Sequence, residues 1–87
     1  MHIRELRNLK RKDLPLAYRR TFTADAVFEG KNSGQRTQAV EFDLEQDARG
    51  STSISVRLVG EAQYPIIPLM RELRAYISSL NAEGKLN

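Results

Sequence analysis

Seven of the first twenty residues are Arg or Lys: Arg4, Arg7, Lys10, Arg11, Lys12, Arg19 and Arg20, opposed only by Glu5 and Asp13. Cationic groups at this density can neutralise phosphates, with binding that weakens steeply as salt rises. They can equally dock an acidic protein surface. A second charged row, Glu41, Asp43 and Glu45, occupies alternate positions. On a strand these carboxylates share one face at intervals of about 6–7 Å. Such groups can serve as acid, base or magnesium ligands. No second cluster accompanies them, so the expectation is a solvated face paired across the sheet with Arg57 or Arg36.

Other chemistry lacks its parts. His2 is the single histidine and there is no cysteine, so a Ser–His or Cys–His pair has nothing to build on. Zinc would have to rely almost wholly on carboxylates, which is unusual. The stretch "EGKNSG" places Gly30–Lys31 like a phosphate loop. Such a loop needs a glycine where Asp25 stands and a Ser or Thr where Asn32 stands, so a hairpin turn is the better reading. The chain is therefore expected to be no enzyme, with no catalytic residue, no cofactor and no metal.

The elements that position these charges follow from the apolar spacing. The 87 residues fit a single small domain, with 1–20 as a basic N-terminal arm or short helix and 21–84 as a compact β-β-β-α body. Residues 21–87 carry seven bases and nine acids, so the net charge of +3 belongs to the front end. No uncharged run approaches the roughly 18 residues of a membrane span, and the charged opening holds no apolar leader. With no cysteine as well, a cytoplasmic protein is expected.

Period-two alternation marks three strands. Phe22, Ala24, Ala26 and Phe28 face one way, with Val27 as an exception on the other side. Val40, Phe42 and Leu44 alternate with the carboxylate row, and Ile54, Val56 and Leu58 alternate with Ser53, Ser55 and Arg57. The turn-rich stretches "GKNSGQ" and "DARGS" join neighbours, which predicts an antiparallel meander. The period then changes. Apolar groups at 66, 69, 70, 73, 76, 77 and 80 fall on one helical arc, Pro65 and Pro68 belong to its start, and Gly84 suits a stop. At the front, Ile3, Leu6 and Leu9 recur every third residue, which predicts a short helix ended by Pro15.

The predicted fold is α+β: a three-stranded antiparallel meander with a C-terminal amphipathic helix on one face, in the order α-β-β-β-α. That order is also the order of elements in the double-stranded-RNA-binding domain, a likeness of topology alone. Where that family carries a lysine cluster, this chain has "YPIIPLMREL". The three phenylalanines share the buried side, so no open ring platform exists for stacking bases. The leading reading is a protein-interaction or self-associating module, its partner a protein or a second copy, with no membrane involved. The first strand, "RRTFTADAVFE", is the edge expected to pair. The alternative is nucleic-acid binding through the seven basic residues named above.

Overall fold

The computed structural model describes residues 2–12, 18–30, 34–62 and 64–86. Four strands, β1 (His2–Lys12), β2 (Arg19–Gly30), β3 (Gly34–Gln46) and β4 (Thr52–Leu58), precede one helix, α1 (Ile66–Ala82). The strands form one antiparallel meander in the order β1-β2-β3-β4. The protein is thus α+β, with the three expected strands and the C-terminal helix in place. The stop expected at Pro15 and the middle of the 31–33 turn lie outside the described residues.

Two expectations are corrected. The N-terminal segment is a strand of the sheet, not a helix, and the sheet has four strands rather than three. The cause is visible in the register. Ile3 opposes Phe28 and Glu5 opposes Val27, so Arg4 is one extra residue in β1; Arg7 opposes Asp25 and Lys10 opposes Thr23, so a second extra residue lies at Asn8–Leu9. Each bulge stretches the two-residue repeat of a strand to three. Ile3 and Leu6 therefore both oppose core residues although three apart. A doubly bulged strand imitates helical spacing. Asn8 takes a positive φ of 53° at the second bulge, a conformation Asn tolerates better than most residues.

The strand expected to be a free edge, β2, is instead central, flanked by β1 and β3. The true edges are β1 and β4. This correction moves any edge-to-edge contact away from "RRTFTADAVFE".

The core lies between the sheet and α1. Phe22, Ala24, Ala26, Phe28, Val40, Phe42, Leu44 and Val56 meet Leu69, Leu73 and Ile77 of the helix, which recur at the i, i+4, i+8 spacing of one helical stripe. Met70, Tyr76 and Leu80 pack partly buried beside them. Ile66, expected on the same arc, is 51 % exposed because it stands in the first turn, before the helix settles onto the sheet. Phe22 and Phe42 are cross-strand partners with stacked rings 5.2 Å apart. The helix comes nearest to the two outer strands rather than the middle pair, as it would if cradled in a curled sheet.

The helix ends in a glycine-terminated turn. Gly84 has φ 72°, its N–H donates to Asn81 O at 3.1 Å, and the Lys85 N–H donates to Leu80 O at 3.0 Å. This pair of bonds satisfies carbonyls the helix would otherwise leave bare. Leu86, just beyond the turn, is buried in the core. No helix among the described residues is long and apolar enough to cross a membrane.

Candidate functional site

The functional candidates occupy the sheet face opposite the helix and the rims around it. Odd-numbered residues of β2, β3 and β4 point there, and the β1 residues opposite them do too. The face is a lattice of ion pairs. Arg57 Nη2 lies 2.7 Å from Glu41 Oε1, and its Nη1 lies 2.9 Å from Asp43 Oδ2. Lys12 Nζ reaches Glu41 Oε2 at 2.5 Å, and the Thr21 hydroxyl donates to Asp43 Oδ1 at 2.7 Å. Hydrogen bonds from Lys12 and then Arg57 hold the Glu41 carboxyl below its ordinary value. The Arg57 guanidinium does the same to Asp43. Reciprocally, Asp43 and Glu41 raise the Arg57 pKa. The carboxylate row is thus neutralised by its neighbours. Arg57 is the expected partner; Arg36 instead sits 5.9 Å from the ring of Tyr64.

The seven basic candidates separate into groups on the structure. Arg4 pairs with Glu29 at 2.5 Å, Arg7 with Glu5, Lys12 with Glu41, and Arg19 with Glu45 at 2.9 Å. The bond to Glu45 also raises the Arg19 pKa. Arg20 is a clamp: its Nη1 donates to Leu86 O at 2.8 Å and its Nη2 to Asn81 Oδ1 at 3.0 Å, tying β2 to the end of the helix. Lys10 and Arg11 are exposed and make no ion pair with any described residue. Being neighbours on a strand, they point to opposite faces: Lys10 opposes Thr23 and Arg11 opposes Phe22. The arc of Arg4, Arg7 and Arg11 expected from a helix does not form.

At the second bulge the open face sinks into a depression of about 390 Å³. Asn8 and Lys10 of β1, Thr23 and Asp25 of β2, Ala39 of β3 and Val59 beyond β4 line it. Its floor runs across Ala24 and Val40. The hollow exists because Ala39 is small where longer side chains follow along β3, and because the bulge displaces β1. Asn8 Nδ2 donates to Asp25 Oδ2 at 2.8 Å. Nothing in the sequence pattern announces this hollow, since it depends on a bulge that the period-three spacing disguises.

Residues 1–82 match the family model described as the BB_0187 family. The chain belongs to that family. The match runs through all four strands and to the last residue of α1, so the unit the family shares is the sheet with its helix; Gly84 and Leu86 follow it. No curated protein and no solved structure matches the chain. Among the described residues, no group of three or more His, Cys, Asp or Glu is placed to hold a metal ion.

The remaining candidate is the sheet edge. Val59 N donates to Ala39 O at 2.9 Å, and the register puts Leu58 opposite Val40. Antiparallel pairs alternate, so Ser53, Ser55 and Arg57 turn their backbone groups toward β3. Thr52, Ile54, Val56 and Leu58 turn theirs outward, where no described strand pairs with them.

Proposed function

We propose that this protein is a self-associating interaction module that pairs with a second copy through the free edge of β4. The observation that carries the reading is the contrast between the two edges of the sheet. Edge β1 bears two bulges, a residue at positive φ and a row of Arg and Lys, all devices that discourage strand addition. Edge β4 has none of them. Its register is regular, it contains no proline, and its only charge, Arg57, is held by Glu41 and Asp43. Two copies joined antiparallel along β4 would continue the sheet and satisfy the outward N–H and C=O groups of both. The added burial suits a chain of 87 residues, whose own core is small.

The alternative, phosphate binding by the basic front segment, would have to compete with the partners that Arg4, Arg7, Lys12, Arg19 and Arg20 already hold. Sedimentation velocity at micromolar concentration tests the first reading. Wild type is expected as a dimer, and Ser53→Lys/Ser55→Lys, which adds edge guards on an exposed face, as a monomer with unchanged circular dichroism. A wild-type monomer, or a double variant that still dimerises, refutes it. Titration of labelled duplex and single strands at about 50 mM salt tests the second, since phosphate contacts should show there if anywhere. No binding removes it.

A further inference from the structure

Beyond the association reading, and independent of it, the geometry points to the hollow at the second bulge as a binding site for a small zwitterion of dipeptide size. Its volume of about 390 Å³ lies within the usual range of small-molecule sites, about 300–1,000 Å³. Its lining combines an apolar surface, at Ala39, Val40 and Val59, with one group of each charge. Lys10 supplies an exposed ammonium that makes no ion pair with any described residue. Asp25 supplies a carboxylate whose Oδ2 accepts from Asn8 while its Oδ1 makes no hydrogen bond with a described residue. Lys10 stands opposite Thr23, and Asp25 lies two residues further along β2, a separation of about 6–7 Å.

Those charges dictate the class of ligand. A single ammonium balances one carboxylate and falls short of a doubly charged phosphate. A carboxylate beside it would repel a purely anionic ligand and accepts an ammonium well. A net-neutral molecule with one charge at each end satisfies both, and its apolar middle can lie over Ala39 and Val59. The Thr23 hydroxyl remains for a peptide carbonyl or N–H. The left-handed Asn8 contributes by fixing Asp25: its side-chain amide holds one carboxylate oxygen and so orients the other. The volume exceeds what one amino acid would fill, which favours two residues over one.

The test is a nuclear magnetic resonance titration of the full chain with the dipeptide Ala-Leu, its N-acetylated form and its C-terminal amide. Ala-Leu is expected to shift the amides of Asn8, Lys10, Thr23, Asp25 and Ala39 with saturation at millimolar concentration. Blocking either end should weaken binding at least about tenfold. Lys10→Met should abolish discrimination against the amide, and Asp25→Asn discrimination against the acetylated form. Ala39→Phe, which fills the hollow on an exposed position, should lose binding while keeping the melting temperature and sedimentation of wild type. No saturable shift at any of these residues, or equal binding of the blocked and free peptides, overturns the proposal.

Discussion

At the residue scale the decisive side chains are arginines that the sequence shows only as surplus charge. Arg57 bridges two carboxylates, and Arg20 bridges a strand and a helix terminus. Because the folded Glu41 and Asp43 titrate below their ordinary values, their contribution to stability is present at neutral pH. It is lost as pH falls below about 4, through the folded values. Arg57→Gln should raise both carboxyl pKa values in a carbon-13 titration and flatten the acid limb of the stability curve; unchanged titration would mean that the lattice is not formed in solution. Gly84→Ala isolates a different effect. No atom lies within 4 Å of the Cβ it would add, so only the backbone at φ 72° resists. The expected cost is about 1–2 kcal/mol by denaturant unfolding.

At the element scale the pattern of buried positions explains what can be read in advance. β2, β3, β4 and α1 each carry an unbroken period, two for the strands and 3.6 for the helix, and each is found where its spacing places it. β1 is illegible because its bulges break the period, and a period is all the sequence displays. Leu86 escapes for a related reason: an isolated leucine after a glycine has no repeat to belong to, and only the terminal turn returns it to the core. Val27, the exception to its strand's alternation, is fully buried on the face away from the helix, opposite Glu5 and Thr37. The edge assignment fails with β1, since a hidden fourth strand converts the supposed edge into the centre. The seven basic residues are recognisable as a charged segment, but their partners lie mostly on other strands, which local spacing does not record. Packing of α1 gives the sharpest test at this scale. Leu73, fully buried at the middle of its stripe, should cost about 2–5 kcal/mol when replaced by Ala. Leu73→Asp should abolish cooperative melting, because it leaves an unpaired charge in the core. Retained cooperative melting in the aspartate variant would refute the helix–sheet packing.

At the scale of the whole molecule, a small sheet curled around one helix leaves one guarded edge, one bare edge and an ion-paired face. The balance of charge on that face is why the basic pI of about 9.6 overstates what the surface offers to an anion. Association then falls to the bare edge, and amide hydrogen exchange reads that edge strand by strand. In a dimer joined along β4, the amides of Ile54 and Val56 are hydrogen-bonded across the interface, while those of Ser55 and Arg57 are bonded within the chain at every concentration. The account predicts that protection at Ile54 and Val56 rises as the protein is concentrated through the micromolar range and approaches that of Ser55. Amides of Ile54 and Val56 that exchange at one fast rate at every concentration would contradict it.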